Sequence, residues 1–173
     1  MRPLDIEDAA LERFHDLDDD AARAVLLVCC ASPDWAARVA AGRPYRTRAE
    51  LLDAAATACR DLDDRELDAA LAGHPRIGDR ASGASAEARL SRQEQASVSD
   101  ADERTRDELL EGNRAYERRF GHVFLIRAAG RSAQEMLAEL RRRLGDDAAT
   151  ERRETADQLA QITRLRLENL LDS

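Results

Sequence analysis

Four stretches of this chain carry the same punctuation: Thr47 with Glu50, Asp63 with Glu66, Ser91 with Glu94, and Ser132 with Glu135. In each, a short side chain able to accept a hydrogen bond stands three residues before a glutamate. That spacing lets the first side chain bond the N–H of the third helical residue while the glutamate reaches back to the cap, so the pair marks the first turn of a helix. Alternating β-branched runs are almost absent, and alanine and leucine, which lose least on entering a helix, dominate between the starts. The expected fold is all-α, a single-domain helical bundle of about eight helices over residues 1–173.

The stretch from Ile6 to Leu17 places Ile6, Ala9, Ala10 and Phe14 on one helical face, and a second helix runs from about Ala21 to Cys30. Ser32-Pro33-Asp34 joins an N-cap to proline at the first helical position, opening a short helix that carries Trp35 and stops near Gly42-Arg43-Pro44. The helix from Thr47 runs through Leu51, Leu52 and Ala55. The one from Asp63 ends at Ala72-Gly73, with Gly73 expected in the left-handed cap conformation. His74-Pro75 follows at once, because the residue before proline resists helical angles. Residues 76–90, with Gly78, Ser82, Gly83 and Ser85, read as a polar loop with at most one helical turn. A long helix from about Asp100 to Arg119 ends at Phe120-Gly121, Ser132 opens a helix to Leu144-Gly145, and a last helix spans Ala148 to Leu171. Val123-Phe124-Leu125-Ile126 is a lone strand or a buried extended segment, with no second strand in view to pair with it.

With 173 residues, 43% of them hydrophobic, the chain can bury one core. Aromatics are only 3%, so that core must be built from Leu, Ala, Val and Ile. The net charge of −8 is spread along the chain, which argues against a nucleic-acid partner. No apolar stretch is long enough to span a bilayer, and Met1-Arg2-Pro3-Leu4-Asp5-Ile6-Glu7 lacks the apolar segment of a signal peptide, so a cytoplasmic protein is expected. Cys29, Cys30 and Cys59 are odd in number and not spaced as metal ligands, so they read as buried reduced thiols and no metal site is expected. All 27 basic residues are arginine. Without lysine, neither a pyridoxal phosphate aldimine nor a lysine Schiff base can form, which removes two large classes of decarboxylase and aldolase chemistry.

Three residues stand out as chemical candidates. His74 lies just past a helix C-terminus, stiffened by Pro75. The negative end of a helix favours imidazolium, so its pKa is expected to rise, as suits proton transfer near neutrality. A histidine that merely bonds the last helix carbonyls has the same sequence context. Glu94 either closes a capping box with Ser91 or serves elsewhere. Arg166, at about 100° per residue, falls between Leu159, Ile162 and Leu170 on the apolar stripe of the last helix, whereas Arg164 points away. A guanidinium there needs an anion, either an internal carboxylate or a substrate carboxylate at the edge of a cavity.

Ordered along the chain are Trp35 and Arg43-Pro44-Tyr45, then His74-Pro75-Arg76-Ile77-Gly78, then Ser91-Arg92-Gln93-Glu94-Gln95. Asn113, Tyr116, Phe120 and Gly121 follow, and Ile162-Thr163-Arg164-Leu165-Arg166-Leu167 closes the series. The last four of these groups resemble the H-P-x-I-G, S-x-x-E-Q, N-x-x-Y-x-x-x-F-G and I-x-x-L-R-L motifs of the 2-oxo-4-hydroxy-4-carboxy-5-ureidoimidazoline (OHCU) decarboxylase family, and the series spans nearly the whole chain. Departures are His122, where an aromatic is commoner, and Ser97-Val98-Ser99, where small residues and glycine are commoner.

The resemblance implies an all-helical, cofactor-free carboxy-lyase of urate breakdown, a homodimer that converts OHCU to (S)-allantoin. It implies that His74 is the catalytic acid/base, that Glu94 orients it or bonds the ring and ureido N–H groups, and that Arg166 holds an anionic or carbonyl oxygen of the substrate. Substrate contacts are implied for Pro75, for Ser91, Arg92, Gln93 and Gln95, and for Ile126, Arg127, Ala128, Ala129 and Gly130. The alternative from another class is a non-enzymatic acidic helical interaction module, in which Arg166 pairs internally and His74 caps a helix on a different face. A second enzymatic alternative is hydrolysis of a related ureide.

Overall fold

The computed structural model describes residues 8–79 and 86–173, and within them every regular element is a helix. In chain order these are α1 (Ala9–His15), α2 (Asp19–Cys29), α3 (Pro33–Ala41), α4 (Arg48–Arg60), α5 (Asp64–Ala72), α6 (Ala86–Glu94), α7 (Ala96–Ser99), α8 (Glu103–Phe120), α9 (Ala133–Arg143) and α10 (Ala148–Leu171). Ile6 of the expected first stripe, and Ser82, Gly83 and Ser85 of the expected polar loop, lie outside the described residues. No described helix is long and apolar enough to cross a membrane.

Side-chain acceptors set the helix starts. Asp8, Asp18, Ser32, Thr47, Asp63, Asp102, Ser132 and Asp147 are N-caps, each accepting from a backbone N–H of its first turn. Asp63 with Glu66 and Ser132 with Glu135 form complete reciprocal boxes. The other two expected boxes differ. Thr47 does accept from the Glu50 N–H, but the Glu50 carboxylate is drawn to Arg46, accepting from its backbone N–H at 2.7 Å and pairing with its guanidinium. Ser91 starts no helix: α6 begins earlier, at Ala86, inside the stretch read as loop, and Ser91 lies on its buried side.

Two further expectations are corrected. Gly73 is right-handed at φ −84°, because the chain tightens into a turn in which the His74 N–H bonds the Leu71 carbonyl. The left-handed cap occurs instead at Gly121, φ 79°, closing α8. In α1 the buried residues are Leu11 and Phe14, while Ala9 is exposed.

α10 packs along α4 and α2, and α8 pairs with α9. Two apolar clusters result. The larger draws on α1 to α5 and α10 and contains Trp35, whose indole N–H donates to the Ala55 carbonyl at 2.9 Å, and all three cysteines, buried and reduced. The smaller contains Leu109 and Tyr116 of α8 and Met136 and Leu140 of α9, with Ile77 and Val98.

Residues 123–128 run extended between the clusters. Val123 and Leu125 pack on the larger, and Phe124, Ile126 and Ala128 on the smaller. That alternation is the two-residue period of an extended chain, and burial of both faces accounts for an unbroken apolar run that belongs to no sheet. The chain also crosses the seam near His74, since Leu71 belongs to the larger cluster and Ile77 to the smaller.

Candidate active site

Arg166 sits on the buried stripe of α10 with 2% of its surface exposed. Its Nε donates to Glu94 Oε1 at 2.7 Å and its Nη2 to Glu94 Oε2 at 2.9 Å, a bidentate fork. Nη2 also donates to Ser91 Oγ at 3.3 Å, and Nη1 reaches the Cys29 carbonyl at 3.5 Å. Ser91 and Glu94, three residues apart on α6, face the same way, which is why one guanidinium meets both. The letters that read as a capping box are therefore one side of a buried ion-pair site. Arg164 lies outside it, pairing with Asp53 and Glu168.

His74 is 8% exposed, and its Nε2 is buried without a hydrogen-bond partner. Burial first, and the charge of Arg166 second, push its pKa down from 6.5 to about 3. The rise expected from the end of α5 does not occur, because lost hydration and a neighbouring like charge together outweigh the field of one helix terminus. Three bonds hold the turn that follows. Asn113 Nδ2 of α8 donates to the Ile77 carbonyl at 2.8 Å, Gln95 Oε1 accepts from the Gly78 N–H at 3.0 Å, and Arg76 Nη2 donates to Glu117 Oε2 at 2.9 Å. Gly78 adopts φ 94°, a conformation that a side chain would strain.

A cleft of about 290 Å³ opens beside the ion pair, lined by Gln93, Glu94 and Ser97, by Ala128, Ala129 and Gly130, and by Leu165 and Asn169 of α10. A second cleft, of about 310 Å³, is lined by Gly78, Asp79, Arg92, Gln95 and Arg106. The expected binding residues are thus divided. Gln93, Glu94, Ala128, Ala129 and Gly130 share one cleft, whereas Arg92 and Gln95 face the other, because successive residues of a helix cannot all point one way. Ser91 lies beneath Arg166, Ile126 is buried in the smaller cluster, and Pro75 is half-buried. Arg127 is half-buried, its backbone N–H donating to Gln158 Oε1 at 2.9 Å. His74 lines neither cleft. A more open depression of about 710 Å³ along α4 shares no residue with these and is not lined by His74, Glu94 or Arg166, so it is not the candidate site.

Sequence reasoning missed several contributors. Asn169 lies three residues after Arg166 on the same helix, a spacing that would have placed it near the site. Asn113 stood in a recognised motif, but nothing local pointed to the Ile77 carbonyl. Among the described residues, Asp146, Glu151 and Glu154 bring three carboxylates together, yet Arg143 already pairs with Glu151 and Arg142 with Glu154, so their charge is spent on arginine. His122 is half-buried, its Nδ1 bonding the Val123 carbonyl at 3.0 Å and its ring 5.5 Å from that of Tyr116.

The sequence model of the OHCU decarboxylase family matches residues 15–168, a range that includes His74, Glu94 and Arg166. The chain belongs to the OHCU decarboxylase family. A relative from Arabidopsis thaliana, the uric acid degradation bifunctional protein TTL, is 30% identical over 146 residues, covering 83% of this chain and 45% of that protein. The chain therefore spans less than half the length of this curated relative. Among solved structures, an OHCU decarboxylase crystallised in the presence of (S)-allantoin matches with a TM-score of 0.74 at 26% identity, over 91% of this chain and all of that one. A structure of (S)-allantoin synthase, 15% identical with a TM-score of 0.69 over 94% of this chain and 54% of the other, shares the fold.

Proposed function

We propose that this member of the OHCU decarboxylase family decarboxylates OHCU to (S)-allantoin in urate breakdown, and does so without a cofactor. A cytoplasmic homodimer is part of the same reading, the homodimer resting on the family resemblance. What supports the proposal is the buried Glu94–Arg166 fork beside a cleft walled by Glu94 and residues 128–130, with His74 buried near enough for the charge of Arg166 to help lower its pKa.

The substrate supplies its own electron sink. The carbon that bears the hydroxyl and carboxylate adjoins the ring C=N bond. When the bond to CO2 breaks, its electron pair becomes a C=C bond to the ureido carbon, and the imine nitrogen takes up a proton. Loss of the hydroxyl proton then forms the carbonyl as the ureido carbon gains a proton, giving allantoin. The protein need only hold, polarise and move protons.

His74 starts neutral, so its first role is to accept the hydroxyl proton. The imidazolium so formed is disfavoured by burial and by Arg166, and it passes the proton to one face of the ureido carbon, which yields one enantiomer. Arg166, kept in place by Glu94, polarises a carboxylate or carbonyl oxygen of the substrate, and Glu94 accepts from the ring and ureido N–H groups. Gln93 and backbone groups of Ala128, Ala129 and Gly130 complete the cleft, while Gln95 acts through the His74 turn by holding Gly78. Pro75, Ser91, Arg92, Ile126 and Arg127 frame these contacts.

The interaction-module alternative requires His74 and Arg166 on separate faces, whereas Arg166 is near enough for its charge to add to burial in lowering the pKa of His74. The deciding measurement is circular dichroism of the product as freshly generated OHCU decays with the protein, without it, and with His74→Asn. Rapid single-handed allantoin from the wild type alone supports the proposal. Racemic product at the uncatalysed rate overturns it.

A further inference from the structure

We infer that Arg143 and Gln158 are positioning residues that hold segment 125–130, whose residues 128–130 wall the cleft, in register with Glu94, taking the place of the neighbouring strand this segment lacks. The inference rests on the proposed decarboxylation. An extended segment buried on both faces and outside any sheet must have its peptide groups bonded by side chains. Here the Leu125 carbonyl accepts from Arg143 Nη1 at 2.7 Å, and the Arg127 N–H donates to Gln158 Oε1 at 2.9 Å. Residues two apart in an extended chain present their peptide groups to the same edge. α9 and α10 therefore bond one edge of the segment much as a paired strand would. Immediately beyond, the Arg131 N–H bonds the Ala128 carbonyl at 3.0 Å around Gly130, whose φ of 78° turns the chain along the cleft wall.

The charge behind this arrangement is otherwise unexplained. Arg143 is 1% exposed and Glu151 fully buried, and Arg143 Nε donates to the two Glu151 carboxylate oxygens at 2.9 and 3.1 Å. Tyr116 also donates its hydroxyl to Glu151, and the guanidinium carbon lies 4.6 Å from the Phe124 ring centre. An ion pair this deep gains little over apolar side chains of equal volume, because desolvation offsets the attraction. What apolar side chains cannot supply is a donor aimed at the Leu125 carbonyl.

Two sets of variants separate positioning from folding. Gln158→Met removes the acceptor at constant length, and Gln158→Glu keeps it. The triple variant Arg143→Met, Glu151→Met, Tyr116→Phe removes the whole charged group while filling its volume. For Gln158→Met and the triple variant, KM for OHCU should rise about tenfold or more, with kcat within about threefold of wild type, because a displaced wall weakens binding without touching the proton relay. Gln158→Glu should restore KM, and the triple variant should melt no lower than wild type. A merely structural role would lower the active fraction, and so kcat, with KM unchanged; that result, or an unchanged KM in folded Gln158→Met, overturns the inference. Should the triple variant fail to fold, Gln158→Met decides alone. Should the wild type itself not turn over OHCU, the decarboxylase reading fails, and hydrogen exchange decides the positioning claim. Loss of amide protection across residues 125–130 in Gln158→Met but not in Gln158→Glu supports it, and equal protection in both overturns it.

Discussion

Lowering the pH from 7 to 5 should cost the folded protein about 2 kcal/mol through His74 alone. The folded state holds this imidazole neutral, with its pKa brought down from 6.5 to about 3 by burial and by Arg166. As the pH falls through about 6.5 the unfolded chain takes up a proton that the native state refuses, so stability declines from there until the native imidazole itself protonates near pH 3. At pH 5 the unfolded chain is about 1.5 pH units below its own midpoint, and each unit is worth about 1.4 kcal/mol. A His74→Leu variant lacks this group, so the difference between the two proteins cancels the carboxylates and the other histidines. Chemical denaturation of both at pH 7 and at pH 5 measures it, and the stability gap should move by about 2 kcal/mol in favour of the variant. An unmoved gap would mean that folded His74 accepts a proton readily. Burial and Arg166 would then not hold His74 neutral in the folded state, which would refute the reasoning from desolvation.

Other substitutions test the surrounding frame. Arg166→Met leaves the Glu94 carboxylate without its fork, and should lower unfolding free energy by about 3 kcal/mol and abolish single-handed allantoin; a stable, active variant would remove Arg166 from the site. Asn113→Leu deletes the bond to the Ile77 carbonyl together with an Oδ1 that has no partner. Its unfolding free energy should change by only about 1 kcal/mol while turnover drops as the His74 turn loosens, and turnover equal to wild type would refute that linkage. Cys29, Cys30 and Cys59 are buried, and burial raises the Cys29 thiol to about 12. A thiol reagent should label none of the three in the native protein and all of them in guanidinium; prompt native labelling would reveal local opening of α2 or α4.

Ser132 and Ser91 mark where local reading succeeds and where it stops. Both precede a glutamate by three residues, and for Ser132 the reciprocal cap forms because every partner lies within one helical turn. Ser91 and Glu94 instead meet Arg166, 72 residues later in the case of Glu94. The all-α architecture, most helix starts, the end of α8 at Phe120-Gly121 and the apolar stripe carrying Arg166 were legible because each depends on neighbours a few positions away. The ordered motifs also carried the family resemblance and, through it, the candidates His74, Glu94 and Arg166. Tertiary structure alone decided that His74 is neutral, that Glu94 holds Arg166, that the run 123–128 threads between two cores, and that residues 91–95 divide between two clefts. The reason lies in the range of the forces. A cap or a helical stripe is satisfied within a turn, whereas the protonation of a buried group and the partner of a buried charge depend on which distant helix packs against them.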